Sequence, residues 1–226
     1  MQTPAPMQRE TVIRRPESVL ATNKVLRSTY LLLSMTLLFS AGVAGVAMAL
    51  NLPHPGIILT LVGYFGLLFA TTRFRNSALG LVFVFALTGF MGYTIGPILN
   101  AYLSLPNGGQ LVMTAMGMTG FVFVGMSAIA LTTKKDFSFL GKTLMIGILV
   151  AFAASLIAVF FSIPALSLAA SAMFVFLASG LILWQTSEII HGGETNYIMA
   201  TVTLFVSIYN LFLSLLQILG IFGGDD

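Results

Sequence analysis

The sequence predicts an all-α integral membrane protein, a bundle of seven transmembrane helices. The 226 residues are 58% hydrophobic and only 8% charged, with a mean hydropathy of +1.00. Soluble domains carry about 25% charged residues. The apolar residues also fall into seven long runs, and the basic residues fall between those runs. A chain this apolar cannot close its surface in water. Lipid is its solvent, and helices that satisfy their own backbone are the economical way to cross it.

The elements follow in order. Residues 1–29 are polar, with Arg9, Arg14, Arg15, Lys24, Arg27 and three prolines. A secretory signal would place a short apolar run soon after a few basic residues. This stretch is too long and too polar for that, so it is expected to be a cytoplasmic N-terminal tail and the first apolar run a retained anchor. A hydrocarbon core of about 30 Å needs about 20 helical residues. Tyr30–Leu50 has that length and stops at Asn51-Leu-Pro. Gly56–Thr72 is the shortest run and stops at Arg73. Ala78–Asn100 and Leu111–Leu131 flank a linker containing Pro106-Asn-Gly-Gly. Lys142–Phe161 ends before Ser-Ile-Pro164, and Ala165–Ile190 ends before His191-Gly-Gly. Tyr197–Ile221 closes the series, leaving residues 222–226 as a short extracytoplasmic tail. Gly, Pro and Asn in the linkers break helices. None of the linkers can house a soluble insert, so residues 30–221 form one domain.

The charges orient it. Basic residues occupy the N-terminal tail, the second linker (Arg73, Arg75) and the fourth (Lys134, Lys135, with Lys142 just beyond); the first, third and fifth have none. Lys and Arg accumulate on the cytoplasmic side. The N-terminus is therefore expected inside and the C-terminus periplasmic, with the linker of His191 and Glu194 cytoplasmic. The net charge of +3 reflects topology, and no basic face suggests nucleic acid.

Several chemistries are excluded. Without cysteine there is no disulfide, thiol catalysis or thiolate metal site. There is no H-E-x-x-H and no G-x-S-x-G. A retinal Schiff base needs a late buried lysine, and the last lysine is Lys142. His54 and His191 lie in linkers, and His191 with Glu194 alone does not make a metal site. No cofactor and no small-molecule substrate is expected.

Within the spans, Gly92 and Gly96 form a G-x-x-x-G, and Ala41, Gly45 and Ala49 form a small-residue stripe; both permit close helix packing. Charges inside a membrane are costly and usually functional. Glu188 is the candidate, either buried or snorkelling to the interface. Gln185 shares its helix face. Ser207, Asn210, Ser214 and Gln217 form one polar stripe on the last helix. Such a stripe faces protein or water, so that helix is central, or lines a polar cavity, or both.

The third run reads Ala-Leu-Thr-Gly89-Phe-Met-Gly92-Tyr-Thr-Ile-Gly96-Pro97-Ile-Leu99-Asn100. The sixth ends Trp-Gln185-Thr-Ser-Glu188-Ile-Ile-His191-Gly192-Gly193-Glu194, and the seventh contains Phe-Val-Ser207-Ile-Tyr-Asn210-Leu-Phe. Together with Leu131-Thr-Thr-Lys-Lys-Asp-Phe-Ser-Phe-Leu-Gly141, these segments resemble the Bax inhibitor-1 family. They are most similar to its bacterial YccA branch, from about residue 20 to the C-terminus. The resemblance implies a seven-helix bundle of the Bax inhibitor-1 type with the last helix central, in the bacterial inner membrane. It implies a non-enzymatic role: binding and restraining the membrane AAA protease FtsH in membrane-protein quality control. Relatives elsewhere in the family imply the alternative, a cation or calcium leak channel. Those relatives carry a pair of aspartates on the last two helices, where this chain has Gln185 and Ser207. A carboxylate pair could share a proton; an amide and a hydroxyl cannot, though they can hydrogen-bond to each other or to water.

Overall fold

The computed structural model describes residues 19–223, with side chains from Lys24 onward. Seven helices account for nearly all of it: α1 (Val19–Ala49), α2 (Ile57–Phe74), α3 (Ala78–Leu103), α4 (Gly108–Thr133), α5 (Leu140–Phe160), α6 (Pro164–Ile190) and α7 (Tyr197–Gly223). All seven contain a segment long and apolar enough to cross a membrane. Apart from the start of α1, the expected boundaries lie within three residues of those observed. Helix α1 begins at Val19 rather than Tyr30, because Ala-Thr-Asn-Lys-Val-Leu-Arg-Ser-Thr holds neither Gly nor Pro. Hydropathy marks where lipid begins, and a helix can continue past that point into water. Of the two expected tails, residues 1–18 and 224–226 lie outside the described residues.

Helix α7 is the axis of the bundle. It packs on α1, α3, α4 and α6, and no residue from Tyr197 to Gly220 is exposed. Phe205, Leu204, Leu211 and Leu216 fill the centre with Val84 and Leu87 of α3 and Ile182 of α6. Large apolar side chains elsewhere point outward, as with Leu38, Phe69, Phe121, Leu149 and Phe176. Exposed leucines and phenylalanines on a span are in their preferred solvent when that solvent is hydrocarbon.

Helices α1 and α3 are joined by the glycine seam. A Cβ on Gly92 would overlap the carbonyl oxygen of Ser40, and one on Gly96 would lie 2.7 Å from Cβ of Ala47 and 3.0 Å from the Ala44 carbonyl. Gly89 faces the ring of Phe39, 2.8 Å from where its Cβ would stand. In lipid no hydrophobic effect drives helices together, so close backbone approach supplies the attraction. Pro97 sits inside α3 without ending it, and Leu99 packs on the core.

The two ends of the bundle are tied separately. At one end the Asn100 amide donates to the Met48 carbonyl (3.1 Å), the Tyr93 hydroxyl donates to the Pro53 carbonyl (2.7 Å), and Asn107 donates to the Gly223 carbonyl. At the other, the α6–α7 linker bonds to the α2–α3 and α4–α5 linkers. Arg73, Arg75, Lys134 and Lys135 all belong to this second, basic end.

Candidate functional site

Helix α6 ends in a left-handed turn that fixes the His191-Gly-Gly-Glu194 motif. The Gly193 amide bonds back to the Glu188 carbonyl (2.8 Å) and the Gly192 amide to that of Ile189 (3.4 Å). That pair of bonds defines a Schellman C-cap. The two glycines are needed for different reasons. Gly192 has φ of +75°, a conformation that costs other L-residues about 1–2 kcal/mol. Gly193 leaves room for the Glu188 carboxylate, which stands where its Cβ would be. Glu188 is therefore half-buried in the last turn of α6, folded against its own cap, rather than inserted into the bundle.

The linker then turns into α7. The Glu194 carboxylate accepts the Asn196 amide (2.7 Å), and Asn196 Oδ1 accepts the amides of Ile198 and Met199 (3.1 and 3.0 Å). Asn196 is thus the N-cap of α7. Its own amide donates to the Arg75 carbonyl and to Asn76 Oδ1 (3.1 and 2.8 Å), holding the α2–α3 linker. Asparagine directly before a long apolar run is a readable N-cap signal, and sequence reasoning had not used it. Ser187 was also missed, and it accepts the Phe137 amide (3.0 Å) on the α4–α5 linker. In that linker the Ser138 hydroxyl and amide both bond to Asp136, and these bonds hold its carboxyl below the usual range, with His191 adding to the effect.

The polar stripe of α7 has two duties. Gln217 accepts a bond from Ser171 (2.7 Å) and donates to Ser167, fastening α7 to α6. Nearer the middle, Ser207 and Asn210 line a cavity of about 300 Å³ together with Tyr64, Thr94 and Tyr209. The stripe packs centrally, and the cavity that Ser207 and Asn210 border is lined mostly by apolar side chains such as Phe65, Phe90, Phe152 and Leu181 rather than being the polar cavity expected as the alternative. The Ser207 hydroxyl donates to the Thr203 carbonyl (2.7 Å) and the Asn210 amide to that of Val206 (3.0 Å). Tyr209 and Thr94 hydroxyls lie 2.9 Å apart.

Gln185 does not join them. It is 2% exposed, its side-chain amide nitrogen has no partner, and it does not line the cavity. The structure shows no hydrogen bond between Gln185 and Ser207. Among the described residues, no three His, Asp or Glu side chains are placed to hold a metal ion.

These features define a class: a polytopic membrane protein whose buried last helix carries neutral polar groups and is capped at a hydrogen-bonded linker. The profile of the family described as inhibitor of apoptosis-promoting Bax1 matches residues 22–224. An uncharacterised Pseudomonas aeruginosa protein is 59% identical over 202 residues, covering 89% of this chain and 91% of its own. The Escherichia coli K12 protein named modulator of FtsH protease YccA is 55% identical over 208 residues, 92% of this chain and 94% of its own. A Vibrio cholerae membrane protein is 44% identical over 211 residues, 93% and 95% of the two chains. The chain belongs to the Bax inhibitor-1 family.

Proposed function

We propose that this chain is a non-enzymatic, multi-pass protein of the bacterial inner membrane that binds the protease FtsH and restrains it. The observation that carries this reading is 55% identity, along nearly the whole of both chains, to a relative named modulator of FtsH protease. The architecture supports it. The bundle is filled by a central helix, its motif residues serve as seams and caps, and its basic end gathers three linkers into one surface that a partner in the same membrane can reach. The positive-inside rule puts that surface and the N-terminus in the cytoplasm.

The test is co-purification. Affinity-tagged chain extracted in mild detergent should bring FtsH with it, and raised expression should lengthen the half-life of a membrane substrate of that protease. Absence of FtsH from the purified material, together with an unchanged half-life, overturns the reading. The second reading is a cation leak through the bundle, although the cavity beside Ser207 and Asn210 carries no charged side chain. Calcium flux into liposomes holding the purified chain alone would support it.

A further inference from the structure

Helices α1 and α4 both pack on α7 and α3 but scarcely on each other. Between them lies a groove of about 520 Å³ whose floor is Phe205, Ile208, Tyr209 and Phe212 of α7. Its walls are recessed at Gly45 on α1 and Gly120 on α4, and nothing stands within 4 Å of where a Cβ on either would be. Both glycines are exposed, so the groove opens sideways between the two helices, onto lipid.

The chemistry of the groove is that of hydrocarbon. No charged side chain is among its described lining residues. The hydroxyls of Thr119 and Tyr209 are already bonded, to the Ala115 carbonyl (2.7 Å) and to Thr94 (2.9 Å). A void that opens on lipid does not stay empty, because its walls would forfeit the dispersion contacts that a lipid tail supplies.

Length decides between a lipid tail and the helix of a partner. The lining runs along α1 from Leu37 to Met48, about 16 Å at the rise of an α-helix. That is about half of a 30 Å hydrocarbon core. Toward the basic end the groove stops where α1 and α4 are joined by the rings of Tyr30 and Phe123, with centroids 6.0 Å apart. A partner helix crossing the whole membrane would run into that contact halfway. One acyl chain ends near the midplane, where the groove ends.

We propose that the groove between α1 and α4 holds one acyl chain of a phospholipid from the leaflet away from the basic end, seated against α7. The lining selects the tail and offers no charge to a headgroup. The groove is complete in the single chain, whichever protein the chain binds.

Phosphatidylethanolamine with a diazirine at the end of one acyl chain, in vesicles holding the full chain, tests the placement. Photolysis should label residues around Leu37 and Phe123, at the closed end of the groove. Native mass spectrometry of the chain in mild detergent should show one phospholipid retained. Gly45→Leu with Gly120→Leu fills the groove, and such overpacking should lower retention about tenfold or more. Gly42→Leu with Gly117→Leu is the matched control. Those glycines also have nothing within 4 Å of a Cβ position, but they do not line the groove, so retention should be unchanged. Labelling spread evenly over the lipid-facing helices, no retained phospholipid, or equal loss from both pairs would each overturn the site. Loss of a bound protein chain from the groove pair, with phospholipid still retained, would give the groove to a partner helix and overturn it as well.

Discussion

The carboxylate of Glu188 occupies the space in which a side chain on Gly193 would stand. The two residues are five apart in sequence and meet only because the chain reverses at Gly192, whose φ of +75° turns it back over the end of α6. The helix terminus and its acidic side chain are therefore one structural unit.

Substitution at the two glycines should fail differently. Gly192→Ala forces a Cβ into the left-handed region and should destabilise by about 1–2 kcal/mol, whereas Gly192→Asn should cost less, because asparagine tolerates that region. Gly193→Ala needs only the tip of Glu188 to swing away, so its cost should nearly vanish when combined with Glu188→Ala. Thermal unfolding in detergent measures all four. Additivity of the last pair would show that the carboxylate and the glycine are not coupled.

A second contrast lies in α1 and α3. Gly92 meets the backbone of α1 at Ser40, while Gly45 has nothing within 4 Å of where its Cβ would be. Backbone cannot retreat as a side-chain tip can. Gly92→Ala should cost about 1–3 kcal/mol through overpacking. Gly45→Ala should be neutral or stabilising, by up to about 1 kcal/mol of helix propensity. A larger loss at Gly45 than at Gly92 would mean the seam is elsewhere.

The spans were legible because each is an uninterrupted apolar run bounded by Pro, Gly or charge, and the centrality of α7 was legible in the period of Ser207, Asn210, Ser214 and Gln217. Hydropathy could not show where α1 begins, since Ala21 to Thr29 is polar yet helical. Nor could it divide the stripe between Gln217, which reaches across to two serines, and Asn210, which bonds within its own helix. That depends on which neighbour stands opposite each position, and spacing along one helix carries no record of it. The surroundings of Gln185 were hidden for the same reason.

Gln217 bridges Ser167 and Ser171 in a place where water is scarce. Interhelical hydrogen bonds in membranes are worth about 0.6 kcal/mol on average and up to about 1.7. Gln217→Met keeps the length and removes both bonds, so it should lower stability by about 1 kcal/mol. The same change in a chain already carrying Ser167→Ala and Ser171→Ala should cost much less. Equal losses in both backgrounds would assign the effect to packing rather than to the bridge.

The linkers that meet at the basic end carry Arg73, Arg75, Lys134 and Lys135, and those at the opposite end carry no Lys or Arg. With seven spans, the orientation proposed from the positive-inside rule would carry the last residue outside the cytoplasm. A phosphatase that folds only in the periplasm should be active when fused after Asp226 and inactive when fused after Asp136. The reverse pattern would invert the molecule and remove the basic surface from the compartment proposed for it.

The leak reading makes its own prediction about pH. Two carboxylates held close cannot both ionise easily, and one is pushed toward neutral pH; the resemblance implies that Gln185 and Ser207, which do not titrate, stand where relatives carry those aspartates. The Ser207 hydroxyl is already committed to the Thr203 carbonyl, and the Gln185 amide nitrogen has no partner. Calcium flux in proteoliposomes holding the unmodified chain should be small and nearly flat between about pH 6 and 8, the range a raised carboxylate reaches. Adding Gln185→Asp and Ser207→Asp should introduce a steep response. A steep response before the aspartates are added would mean that another group gates the path, and the missing pair would no longer explain the behaviour of this chain.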